Sequence, residues 1–350
     1  MSEPLYLDHA ATTPMTGAAQ AAVVSGMARW ANPSSPHAAG RAARAALEEA
    51  RAAVSLAYGW THETLFTSGA SEALAIGIGR CTRARRFVAA VEHDAALRAA
   101  GEAFVLPVDS LGRVDPAAIP DVSDAVVAVQ WCNSETGVIQ PIAAIAAAVH
   151  DRGGLLLVDA AQMPASDRLA ADADAIALSA HKRGGPAGIG ALLVRDLATL
   201  HPSGGQERGY RPGTENLPGA LGYAAALAEP EPDHQALRAM LDDAIRRSGG
   251  EVVADGAERH PAIASYRMPG VAAAAQLIRF DMERIAVSAG SACASGSLKP
   301  SHVLRAMGWT EAASREVIRV SFGRTTTRDH VERFIAAWRA MARNGRRFAA

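Results

Sequence analysis

Residues 155–196 read "LLLVDAAQMPASDRLAADADAIALSAHKRGGPAGIGALLVRD". Three short apolar runs stand out: "LLLVDAAQ" (155–162), "DAIALSAHK" (174–182) and "GIGALLVRD" (188–196). Each is four to eight residues of apolar chain closed by polar residues or glycine, the texture of a strand buried on both faces. Upstream the same texture alternates with helical stretches. "TLFTSG" (64–69) is a strand that launches the helix "ASEALAIGIG" (70–79), and "RRFVAAVEH" (85–93) precedes the helical "DAALRAAGEA". "DAVVAVQWC" (124–132) precedes "IAAIAAAVHDRGG" (142–154). Strands alternating with helices predict an α/β fold around a mostly parallel sheet, with ligands at the carboxyl ends of the strands. The helices "AAGRAARAALEEARAAV" (38–54) and "GALGYAAALA" (219–228) flank this core. After "EPEPDH" (229–234) the texture becomes that of a smaller α+β segment. The expected domains are therefore 15–230, and 1–14 together with 231–350.

Composition narrows the function classes. The chain has 350 residues, 49% of them hydrophobic, and a formal net charge of −1. That balance argues against a nucleic-acid or membrane-surface partner, which needs a dense positive field. No apolar stretch approaches the roughly 20 residues of a membrane span, and the start carries no basic region followed by an apolar run. Three widely separated cysteines, Cys81, Cys132 and Cys293, make no disulfide framework and suit a reducing compartment. The expected location is the cytoplasm, and no residue is assigned to a metal.

The chemistry-bearing residues sit at the strand ends. Lys182 stands between a strand end and a glycine-rich turn; alone, such a lysine is by default a surface charge. "TSGASEA" (67–73) offers backbone N–H groups and hydroxyls at a helix start, a seat for phosphate or simply a cap. Asp159 ends a buried strand, a poor place for a charge without a cationic partner. A protonated pyridine nitrogen would be such a partner. Amine, phosphate seat and isolated carboxylate together point to pyridoxal phosphate held through a lysine Schiff base. Cys293 lies in "SAGSACASGS" (288–297), small residues with little to pack against, as suits a displayed thiol.

Longer motifs carry a resemblance. "YLDHAATTP", "NPSSPHAAGRA", "TSGASEA", "VEHDA", "NSETGVIQPI", "VDAAQ", "SAHKRGGPAGIGAL", "GGQERGYRPGTEN", "SAGSACASGSLKPSHVLRAMG" and "RVSFGRTT" follow one another through nearly the whole chain. In this order the chain resembles a cysteine desulfurase of the class V aminotransferase family. The resemblance implies the type I fold of pyridoxal-phosphate enzymes, with a large cofactor domain and a small carboxyl-terminal one. It implies that Lys182 bonds the cofactor, Asp159 holds its pyridine nitrogen, His93 stacks on the ring and Gln162 contacts the ring's phenolic oxygen region. Ala70, Ser71, Ser179 and His181 would hold the phosphate, and Thr214 would reach the phosphate of the other subunit of a homodimer. Arg324 would clamp the substrate carboxylate, with Asn133 also assigned to the substrate. Ser134 stands where the family has a second asparagine, so its cofactor contact is expected to be altered. Cys293 would accept sulfur from L-cysteine, release L-alanine, and pass the sulfur to an acceptor protein, either a scaffold for iron–sulfur clusters or a thiolation protein. Two other readings stay open: a pyridoxal-phosphate lyase or aminotransferase for another amino acid such as selenocysteine, and a non-catalytic sulfur-relay platform.

Overall fold

The computed structural model describes residues 3–290 and 300–349. Its centre is a seven-stranded sheet. From one edge to the other the strands are Glu63–Thr67, Gly190–Val194, Ala175–Ser179, Leu155–Asp159, Ala125–Gln130, Arg85–Ala89 and Phe104–Leu106. Gly190–Val194 runs antiparallel to both neighbours, and the remaining pairs are parallel. Alternate residues of each strand enter different packing layers. Leu156 and Val158 join the larger core, with Val127 and Val129 of the next strand, while Leu157 joins a second cluster with Val126 and Ala128. Both faces are thus covered, which is why the strands read as unbroken apolar runs.

A second, three-stranded antiparallel sheet is built from Val317–Ser321, Ile263–Arg267 and Glu251–Val252. Helices Gln235–Arg247, Ala273–Met282 and Arg328–Ala349 pack with it. Phe280 and Phe334 stack at 4.9 Å between ring centroids, and Trp338 is fully buried beside Phe334. Truncating one of these rings would cost about 3–5 kcal/mol. The amino-terminal segment belongs beside this sheet: Leu5–Tyr6 pairs parallel with Ile285–Ala286, and the Ser321 N–H donates to the Leu7 carbonyl at 2.8 Å. The expected boundary near residue 230 falls between helices Leu217–Leu227 and Gln235–Arg247.

Candidate active site

The carboxyl ends of the parallel strands open onto a cavity of about 490 Å³. Ala70, Ser71, His93, Ser134, Asp159, Gln162, Ser179, His181 and Lys182 all line it, brought together from five stretches of chain. The reason is topological: each strand delivers its last residue, and the loop after it, to the same edge of the sheet.

One end of the cavity is a helix start. Helix Ala70–Gly77 begins at Gly69, whose φ of +148° leaves no side chain to cap the first turn. A side chain there would strain the backbone, and a Cβ on Gly190 would come within 2.6 Å of the Gly69 Cα. The two glycines let strand and turn approach closely, and the first turn of the helix, with Ala70 and Ser71, lines the cavity without a capping side chain. Ser179 and His181 line the same cavity. Burial, with the nearby Lys182 charge, lowers the His181 pKa, and its Nδ1 lies 3.1 Å from the Thr12 hydroxyl.

The middle of the cavity carries the charges. Asp159 is 8% exposed, and its Oδ1 accepts the Ala161 N–H at 2.9 Å. The Gln162 amide donates to the Ala10 carbonyl at 3.0 Å, fixing its plane. Lys182 sits on a tight turn: the Arg183 N–H donates to the Ala180 carbonyl at 2.8 Å, and Thr13 N–H to the His181 carbonyl at 2.9 Å. His93 caps helix Asp94–Ala100, its Nδ1 accepting the Ala95 N–H at 3.1 Å. That bond places the proton of the neutral ring on Nε2. Burial first, and then Lys182, hold the His93 pKa below the ordinary value, so the ring is neutral near pH 7. Glu92, unremarked in the sequence, is fully buried in the same wall. Burial pushes its carboxyl well above the usual range and Asp159 adds to this, while the Gln130 N–H donating to Oε1 opposes it.

Two expectations need correction of place. Arg324 does not face this cavity. It lines a second one, of about 500 Å³, where its guanidinium donates to the carbonyls of Pro230 and Arg183 at 2.5 and 3.1 Å. The chain has already turned away from the site by residue 324, three residues beyond the end of strand Val317–Ser321. The arginine in the cavity is Arg319, within that strand and 6% exposed. It donates to Asp8 Oδ1 at 2.7 Å and to the Ser134 carbonyl at 2.9 Å, while its Nε is buried without a partner. Asn133 does not line the cavity either. Its amide is used up structurally, donating to the Val91 carbonyl and accepting the Glu135 and Thr136 N–H groups of its own turn. Thr214 is exposed and lies outside this cavity.

The cysteines divide sharply. Cys132 lines the cavity but is fully buried, its thiol directed at the carbonyls of Asn133 and Gly137, and burial pushes its pKa up to about 12. Cys81 is buried and its pKa is likewise raised. Cys293 lies outside the described residues. Gly290 and His302, described on either side of it, both line the cavity.

The donor set fits pyridoxal phosphate. Uncapped N–H groups with Ser71 and Ser179 suit a phosphate, Asp159 suits a pyridinium nitrogen, and Lys182 supplies the only lysine amine lining this cavity among the described residues. The family described as aminotransferase class-V matches residues 5–334. The chain belongs to that family. Among curated relatives of this class-V aminotransferase is the cysteine desulfurase of Gluconacetobacter diazotrophicus, 37% identical over 95% of this chain and 91% of that one. The solved NifS-like protein of Rickettsia africae superposes with a TM-score of 0.86 at 28% identity, covering 97% of this chain and 99% of its own. The structure of SspA in complex with cysteine gives a TM-score of 0.79 at 27% identity, covering 92% and 100%. The class-V aminotransferase described here therefore has the type I fold and is a pyridoxal-phosphate enzyme of the cysteine desulfurase group.

Proposed function

We propose that this enzyme takes sulfur from L-cysteine in the first cavity and places it on Cys293, releasing L-alanine. The observation that carries the reading is the convergence of Lys182, Asp159, His93 and Arg319 on one cavity beside an uncapped helix start. When bound, pyridoxal phosphate withdraws electrons from the substrate's Cα, so that a proton can leave it. Asp159 would hold the pyridine nitrogen in its protonated form, and the first turn of helix Ala70–Gly77, with Ser71, Ser179 and His181, would hold the phosphate. His93, neutral and fixed by its cap bond, would stack on the ring, and Gln162 would contact its phenolic oxygen region. Ser134 lines the same cavity and, with a shorter side chain than the family asparagine, would make an altered contact with the cofactor.

Lys182 takes the Cα proton and returns it, a task that needs an amine within reach of that atom. Arg319 holds the substrate carboxylate; its neighbours Asp8 and Ser134 fix the guanidinium plane while Nε keeps a donor in reserve. The Cys293 thiolate then attacks the substrate sulfur. The S–S bond forms, the Cβ–S bond breaks with its electron pair left on carbon, and protonation of that carbon completes alanine. Cys132 is a poor alternative, because a thiol held to about 12 is not a thiolate at neutral pH. A thiol of an acceptor protein in a reducing cytoplasm removes the sulfur from Cys293.

Thr214, exposed and outside its own cavity, supports a homodimer in which it reaches the partner's phosphate. Residues 15–230 form the cofactor domain, with 1–14 and 231–350 as the small one. No helix among the described residues is long and apolar enough to cross a membrane.

Alanine release from L-cysteine tests the reading. Wild type should produce alanine and sulfide in equal amounts under reductant. Lys182→Ala should lose at least roughly a thousandfold in kcat, the order of a lost general base. Alanine formation by Lys182→Ala at the wild-type rate would remove the lysine from the mechanism.

A further inference from the structure

Lys182 is shared by two cavities. The first receives the substrate; the second lies behind it, between the turn 181–184, the linker 229–234 and the end of strand Val317–Ser321. Three charged side chains in this second cavity are joined to one another. Arg183, immediately after Lys182, donates from Nη1 to both oxygens of Glu231 at 2.9 Å. Arg324 lies 3.7 Å from the same carboxylate. Its Nη1 donates to the carbonyls of Pro230 at 2.5 Å and Glu229 at 3.4 Å, and its Nη2 to the carbonyl of Arg183 at 3.1 Å. One planar guanidinium thus ties together the peptide that follows Lys182, the linker between the two sheets and the small sheet's last strand.

We propose that Arg324 is a positioning residue, which with Glu231 and Arg183 latches the Lys182 turn and sets the aim of its amine into the first cavity. The reason is mechanical. At its two ends the turn is held by backbone bonds, from Thr13 to the His181 carbonyl and from Thr16 to the Gly184 carbonyl. Between them, the Arg183 carbonyl takes the Arg324 guanidinium as its side-chain donor. Gly184, with φ of +81°, bends the chain at this point, and a Cβ there would meet Thr16 at 2.7 Å and the Arg324 Nε at 3.5 Å. A turn bent this tightly has little slack, so a freed Arg183 carbonyl passes its movement to the adjoining Lys182. Misplacement on the scale of an ångström costs a proton transfer up to about a hundredfold.

The inference rests on Lys182 being the reactive amine, and the experiment separates the two ideas. Wild-type holoenzyme is assayed first; absence of alanine from L-cysteine would sink the desulfurase reading before any variant is made. Arg324→Ala holoenzyme should then lose roughly tenfold or more in kcat, with KM for L-cysteine within about threefold of wild type. The pH at which its visible cofactor absorbance titrates should move, because that absorbance reports the lysine's surroundings. A general loosening of the fold would leave that titration in place. Arg324→Lys restores one donor and should recover part of the kcat. Glu231→Gln, which keeps the shape and removes the charge, should move kcat and the titration in the same direction by less, and it carries the test if Arg324→Ala fails to fold. A rise in KM with unchanged kcat and titration in Arg324→Ala would return Arg324 to the substrate and overturn the proposal. So would wild-type kcat and titration in both Arg324→Ala and Glu231→Gln.

Discussion

The two cavities that meet at Lys182 are of similar size and opposite design. In the first, polar groups converge on space: an uncapped helix start, the Asp159 carboxylate, a neutral His93 and the Arg319 guanidinium. In the second, the charged groups are turned on each other, Arg183 and Arg324 on Glu231 and on backbone carbonyls. Both cavities draw an arginine from one short stretch, residues 319–324. A strand directs alternate residues to one face, so Arg319 projects with Val317 and Ser321, whereas Arg324 follows a turn and takes whatever direction the turn dictates. Proximity in sequence to a motif is therefore a poor guide to which site a side chain serves.

The comparison can be broken at either side. In the first cavity, Arg319→Ala removes a charge-assisted pair with the substrate carboxylate. Such bonds contribute about 1.5–3 kcal/mol each, so kcat/KM for L-cysteine should fall roughly a hundredfold, mostly through KM. Initial rates of alanine formation over a range of L-cysteine give the split. If Arg319→Ala alters only kcat while Arg324→Ala alters only KM, the two cavities have exchanged roles.

In the second cavity the expected effect is smaller and lies on stability. His260 lines it, and burial holds its pKa down to about 3, with Arg183 and Arg238 adding to the effect. A depressed histidine stabilises the fold fully above its unfolded value near 6.5, and that contribution is lost as pH falls towards the folded value. His260→Gln lacks this dependence. Relative to the variant, wild type should lose about 2 kcal/mol between pH 7 and pH 5, measured by urea unfolding at each pH. A constant difference between the two proteins across that range would place the His260 ring in contact with water.

The sheet was readable because its strands are buried on both faces, and such strands announce themselves as apolar runs closed by polar residues. The strand Phe104–Leu106 was not: three edge residues, two of them exposed, carry too little pattern. Helix Gly17–Met27 has apolar and small residues all round and no amphipathic stripe, so alternation counted from residue 64 passed it by. At the site, Lys182, Asp159 and His93 were legible because strand ends converge. Arg319 was the residue missed, although "VIRVS" did hold a signal, a cation inside an otherwise apolar run with all five positions buried. A buried charge in a strand needs a partner or a ligand. The lysine carried a second unread signal: Lys182 and Lys299 are the only lysines among 35 lysine and arginine residues. Glu92 gave none, since its isolation depends on the neighbours that burial brings.

The most direct test of the account follows the sulfur itself. Holoenzyme mixed with L-cysteine in the absence of reductant, then digested and weighed peptide by peptide, should carry one added sulfur on the peptide containing Cys293. The peptides containing Cys81 and Cys132 should be unchanged, with one alanine released per modified chain. Added sulfur on Cys132, or alanine released in the first turnover with no sulfur on Cys293, would contradict it.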